Sequence, residues 1–213
     1  MKTAAVFVHG LFLNGAEFTL LRRRLAAAHG IATHRFSYST VFGSLEPTLA
    51  ALERFVARID ADRIHFIAHS LGGIVLHRYF EREAQPDPRA GRVIMLGSPV
   101  GGSRSARAVL GNALLRRVVG RIVAQELLDS AAERRWTNTR ELGLIAGTRP
   151  MGLGRFFARF DEQCDGTVAV SETKLPGHKD HVTLPVSHMG MLMSPVVARH
   201  VGEFLERGIF TRA

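Results

Sequence analysis

Ten residues, Ile64-His65-Phe66-Ile67-Ala68-His69-Ser70-Leu71-Gly72-Gly73, restrict what this chain can fold into more than any other stretch. An apolar run of β type enters Ala-His-Ser-Leu-Gly, and a helical pattern (Ile74, Val75, Leu76, Tyr79, Phe80) follows without a spacer. The backbone must pass from strand to helix at the serine, which leaves the serine hydroxyl exposed at a sharp bend. Side chains two residues before and two after such a serine would collide across the turn. Gly72 meets that constraint outright, and Ala68 exceeds it by one methyl group.

The rest of the chain repeats the same strand-then-helix order. Strands are expected at Ala4–Val8, Ile31–Phe36, Arg63–Ala68, Arg92–Leu96, Glu141–Ala146 and Lys179–Leu184. Helices are expected at Glu17–Ala28 and Leu45–Ile59, with apolar residues every three or four positions, after Ser70, and from Ser194-Pro195 onward. Gln85-Pro86-Asp87-Pro88 ends the helix after Ser70. This alternation predicts an α/β fold: a mostly parallel six-stranded sheet with right-handed crossovers and helices on both faces. At 213 residues, without repeats or linkers, the chain reads as a single domain over 1–213. The stretch 103–138 is longer than a short crossover needs; a small cap over the site and two plain crossover helices are the alternatives.

A serine hydroxyl needs a base, a group to orient the base, and donors for an oxyanion. In this strand–turn–helix setting the partners follow the serine in the order carboxylate, then histidine. Among downstream carboxylates, Asp165 in Asp165-Gly166-Thr167-Val168 fits best, on a turn at a loop tip beyond the carboxyl end of the fifth strand, where open α/β sheets gather ligands. Asp161 and Glu162 read as solvated loop charges, and Asp180 opens the last strand at its wrong end. For the base, His188 follows the last strand and can reach back to Ser70; His178, His181 and His200 are placed less well. The backbone N–H of Leu71, at the start of the helix, is one oxyanion donor. The second is the N–H of Leu11, turned inward by Gly10 in the strand-to-loop run Val6-Phe7-Val8-His9-Gly10-Leu11-Phe12. Phe12 is a substrate-binding candidate, and Phe156, Phe157, Met189 and Met191 are further candidates for an apolar wall, with core packing the competing role for each.

Taken together, His9-Gly10-Leu11, Ala68-His69-Ser70-Leu71-Gly72-Gly73, Asp165-Gly166-Thr167-Val168 and Ser187-His188 resemble, in order and spacing, the α/β-hydrolases of the small bacterial lipase and esterase type. Val93-Ile94-Met95-Leu96-Gly97-Ser98-Pro99 is similar to the strand and turn that follow the elbow helix in these proteins, and one subgroup shares the alanine found at Ala68. The resemblance implies an α/β-hydrolase fold and ester hydrolysis through an acyl-enzyme, without metal or organic cofactor. A thioesterase, a deacylase, an acyltransferase and an idle scaffold used as a binding module all remain open.

Composition narrows the partners. The excess of 28 basic over 19 acidic residues, +9, is carried almost entirely by arginine. Such a field can draw the protein to an anionic membrane surface or to acidic substrates, while the small-molecule ester or lipid substrate is what the resemblance implies. No groove-reading helix, zinc framework or aromatic-interleaved basic stripe supports nucleic-acid binding. The pair His178 and His181, with the single cysteine Cys164 nearby, does not make a metal set; Cys164 reads as an inert loop residue and precludes an internal disulfide. The Gly152–Gly154 stretch lacks the dinucleotide-binding pattern. Met1-Lys2-Thr3 runs straight into the first strand without a leader, so the expected compartment is the cytoplasm, although a chain stripped of its leader would read the same. Oligomeric state is not encoded in any feature of the sequence.

Overall fold

The structure, a computed structural model, describes residues 1–83, 85, 87–104, 122, 126, 134–151 and 161–212. Six strands, β1 (Thr3–Val8), β2 (Ala32–Phe36), β3 (Arg63–His69), β4 (Ala90–Leu96), β5 (Leu142–Gly147) and β6 (Asp180–Leu184), form one sheet in the order β2-β1-β3-β4-β5-β6. Every pairing is parallel. Among the described residues, four α-helices, α1 (Thr19–His29), α2 (Leu45–Ala57), α3 (Leu71–Glu81) and α4 (Pro195–Arg207), flank it. The strands and helices expected from the sequence are all present, with ends shifted by a residue or two. The exception is the first helix, which opens as a 3-10 turn at Ala16–Phe18 before becoming α-helical. Most of the stretch 103–138, for which a cap and two crossover helices are the alternatives, and the loop carrying Phe156 and Phe157 lie outside the described residues.

The period-two alternation of each strand divides its side chains between two cores. Val6, Val8, Phe66, Ala68, Val93 and Met95 face α2 and α3, meeting Leu49, Leu52, Ile74 and Leu76. Ala5, Phe7, Ile67, Ile94, Leu96 and Ile145 face α1 and α4, meeting Leu21, Leu25, Val201 and Phe204. The interior strands are therefore apolar on both faces, as a parallel sheet requires. The edge strands β2 and β6 keep half-buried polar residues such as Thr33, His34 and His181. Ser194 caps α4 by accepting from Val197 N–H at 3.3 Å, with Pro195 in the first turn.

The strand order also fixes where a site can form. From β1 the chain steps out to β2, then returns to the other side of β1 as β3, so the topological switch lies between β1 and β3. In open α/β sheets that switch opens a crevice at the carboxyl ends of the strands. Val8 pairs with Ala68, which brings His9 and Gly10 alongside His69 and Ser70 at that edge.

Candidate active site

Only Ser70 separates β3 from α3, and it takes the whole change of direction at φ 52°, ψ −123°. A non-glycine residue there stores about 1–3 kcal/mol of backbone strain. Two hydrogen bonds hold it: Ser70 N–H donates to Leu96 O at 3.0 Å, and Gly73 N–H donates to Ser70 O at 3.0 Å. Gly72 lies so close to β1 that a Cβ on it would sit 2.2 Å from Val8 O and 2.7 Å from His9 O. Ala68, fully buried in β3, places its extra methyl in the core that β3 shares with α2 and α3.

Asp165 and His188 meet at the same edge. The Nδ1–H of His188 donates to Asp165 Oδ2 at 2.7 Å, and the backbone N–H of His188 donates to Asp165 O at 2.9 Å. The other carboxylate oxygen, Oδ1, accepts from Thr167 N–H at 2.9 Å and Val168 N–H at 2.7 Å. Each such bond to a charged acceptor contributes roughly 1.5–3 kcal/mol. Asp165 is buried, 1% exposed, so the carboxylate does not stand at a loop tip as the Asp-Gly pair suggested; the Asp165–Val168 turn folds over it. Gly97, at φ 53°, makes room for the pair, since a Cβ on it would lie 2.9 Å from Asp165 Oδ2 and 3.2 Å from His188 Nδ1. With Nδ1 carrying the proton, His188 Nε2 is the basic nitrogen of the neutral ring. Ser70 Oγ has no hydrogen bond among the described residues; His188 reaches its neighbourhood through His69, ring centroids 4.5 Å apart. Nucleophile–base bonds are often long before substrate arrives.

Two backbone N–H groups at this edge, those of Leu11 and Leu71, meet no acceptor among the described residues. Leu71 opens α3, where the helix dipole adds positive character. Leu11 is oriented by its predecessor. Gly10 O accepts from the His9 Nδ1–H at 2.9 Å and from Leu13 N–H at 3.3 Å. In a trans peptide C=O and N–H point opposite ways, so fixing Gly10 O turns Leu11 N–H away from the His9 ring. The residue of this loop with left-handed backbone is Phe12, at φ 60°, and not Gly10. Phe12 N–H donates to Thr40 Oγ1 at 3.1 Å, leaving its ring 60% exposed.

Sequence reasoning missed the support behind this loop. His9 is fully buried, and its Nε2 accepts from Tyr38 N–H at 3.1 Å. The Tyr38 hydroxyl donates to His9 O at 2.9 Å, and the two rings stack at 4.4 Å. Burial lowers the His9 pKa and pushes the Tyr38 phenol up, so both stay neutral. The available signal was the position of Tyr38 two residues past β2, next to the end of β1.

The competing residues have other roles. Asp180 is buried and takes Phe210 N–H at 2.8 Å and Arg212 at 2.6 Å. Glu162 bonds Arg104 and Ser171. His181 pairs with Thr173 Oγ1 at 3.0 Å and His178 with Leu175 O at 2.6 Å. No group of three His, Cys, Asp or Glu residues suited to a metal ion occurs among the described residues. Cys164 is buried. Met191 belongs to the core beside α4, whereas Met189 is 44% exposed. Among the described residues, no helix is long and apolar enough to cross a membrane.

A model of the alpha/beta hydrolase family matches residues 5–201. Solved structures resemble the chain at low identity. The metagenomic carboxyl esterase MGS0156 superposes with a TM-score of 0.65 at 19% identity, over 88% of this chain and 64% of its own. The Bacillus licheniformis lipase BlEst2 gives 0.65 at 18%, over 100% of this chain and 51% of its own. A pyrethroid hydrolase from Sphingobium faniae JZ-2 gives 0.61 at 14%, over 97% and 98%. The chain thus spans less than two thirds of the length of the first two. No curated protein sequence matches it.

Proposed function

Because the chain belongs to the alpha/beta hydrolase family, we propose that it is a serine hydrolase that cleaves carboxylic esters through an acyl-enzyme. The observation that carries this reading is the buried His188–Asp165 pair, at 2.7 Å, which leaves the basic His188 Nε2 at the edge where the strained Ser70 sits. The described esterase and lipase structures share the fold and agree with it.

On this reading Ser70 Oγ attacks the ester carbonyl carbon as its proton passes to His188 Nε2. Asp165, held by two backbone N–H groups, keeps the imidazole in the Nδ1–H form and stabilises the imidazolium. The carbonyl π pair moves onto oxygen, where the N–H groups of Leu11 and Leu71 receive the charge; one such donor is worth about 3–4 kcal/mol of barrier. Collapse expels the alkoxide, which takes the proton from His188. Water, deprotonated by His188, then attacks the acyl-enzyme and releases the acid, returning Ser70. Phe12, exposed beside the Leu11 donor, offers apolar contact to the acyl or alcohol part. The sequence of steps requires no cofactor.

Hydrolysis of p-nitrophenyl esters from acetate to palmitate, by wild type and Ser70→Ala, tests this. Turnover that disappears in Ser70→Ala is expected, with fluorophosphonate labelling at Ser70. Turnover that survives the substitution, or absence of both turnover and labelling, refutes the assignment.

A further inference from the structure

We infer that His69 is a positioning residue, whose Nε2–H ties the backbone carbonyl of His188 to the residue adjoining Ser70 and so sets the spacing between nucleophile and base. This rests on the roles given to Ser70, Asp165 and His188 above. In the sheet order, β6 lies three strands from β3, about 14 Å at roughly 4.8 Å per strand. The loop carrying His188 leaves β6 and must cross over β5 and β4 to reach the serine, beyond the help of any strand ladder. Two of its anchors, His188 N–H to Asp165 O and His188 Nδ1–H to Asp165 Oδ2, fasten it to the segment after β5. Among the described residues, the bond from His69 Nε2–H to His188 O, at 3.0 Å, is the hydrogen bond that fastens it to β3.

The tautomer follows from the acceptor. A carbonyl cannot donate, so His69 Nε2 must carry the proton and Nδ1 must be the bare nitrogen. That Nδ1 is buried and has no partner, so the ring is held by this one bond and by packing against Phe18 and His188. A charged His69 would oppose the imidazolium that forms 4.5 Å away, and burial prevents this by holding its pKa well below the ordinary value. His69 touches no reacting atom; it acts through His188.

Glutamine carries its amide nitrogen as many bonds from Cα as Nε2 lies in histidine, so His69→Gln keeps the donor, whereas His69→Leu fills the space and removes it. The measurements are the rate of Ser70 labelling by a fluorophosphonate, and kcat and KM on one p-nitrophenyl ester, with thermal unfolding to verify the fold. Misplacing a reacting group by an ångström costs up to about 100-fold. His69→Leu is therefore expected to slow both labelling and kcat by about tenfold or more, with KM within about twofold, and His69→Gln to recover most of the rate. A leucine variant as fast as wild type, or a glutamine variant as slow as leucine, overturns the inference. If the leucine variant does not fold, His69→Asn, with its amide one bond too short, takes its place under the same expectation. A wild type that fails to label at Ser70 overturns the underlying assignment, and the inference falls with it.

Discussion

Replacing Gly72 with alanine isolates the contact on which the sharp turn depends. The added Cβ would lie 2.2 Å from Val8 O and 2.7 Å from His9 O, both backbone atoms within or next to β1. Carbon–oxygen contacts below 3.0 Å are essentially never occupied, so α3 and β1 would have to separate by nearly an ångström. Overpacking against rigid backbone costs about 3 kcal/mol. In a domain of this size that corresponds to a fall in Tm of roughly 6–12 °C. Gly30 provides the contrast: at φ 62° with no atom within 4 Å of its Cβ position, Gly30→Ala incurs only the left-handed backbone term, about 1 kcal/mol. Thermal and urea unfolding followed by circular dichroism would measure both. If Gly72→Ala costs no more than Gly30→Ala, the steric argument is wrong. The displacement also passes through His9 to the Gly10–Leu11 peptide, so the ester turnover proposed above should fall by more than the loss of folded protein explains.

Three further outcomes are expected. Asp165→Asn should keep the two backbone bonds to Oδ1 but present an NH2 group to His188, driving the ring proton to Nε2; kcat should drop by about 10³–10⁴ with Tm nearly unchanged, and kcat within tenfold of wild type would count against the triad. Tyr38→Phe, which deletes the hydroxyl bond to His9 O, should cost about 1 kcal/mol in urea unfolding and lower kcat rather than raise KM. The fold should also weaken in mild acid. Burial, with Arg63 and Arg92 nearby, lowers the His65 pKa to about 4. Between its ordinary value near 6.5 and that value the unfolded chain binds the proton and the folded chain does not, so stability present above about 6.5 is lost as pH falls, by roughly 3 kcal/mol at full extent. His9 and His69 act in the same direction. A Tm that stays level from pH 7.5 to 5 would contradict this.

The strands are legible in the sequence because the interior of a parallel sheet is apolar on both faces, and the turn at Ser70 because only tiny neighbours fit around it. Asp165 and His188 could be picked out from chain order and loop position, and the structure brings those two together. Their surroundings were less legible. Which residue of the Gly10–Phe12 loop takes positive φ depends on where Thr40 can receive the Phe12 N–H, a contact from a different loop. That Asp165 is buried rather than presented at a tip depends on local folding of Thr167 and Val168 around it. Tyr38 and His69 act through backbone atoms 29 and 119 residues away, and no local pattern records such distances.

Ser70 follows β3, Asp165 follows β5 and His188 follows β6, so the arrangement does not exist until the last strand has joined the sheet. On the proposed roles, a chain in which β1 to β4 are paired but β5, β6 and α4 are detached retains most of its secondary structure and the bent serine, yet lacks both base and carboxylate. Turnover therefore reports completion of the sheet rather than its beginning. During synthesis or refolding, the serine remains idle until the carboxyl-terminal third has docked, and in mild denaturant activity should disappear while most of the far-ultraviolet signal persists.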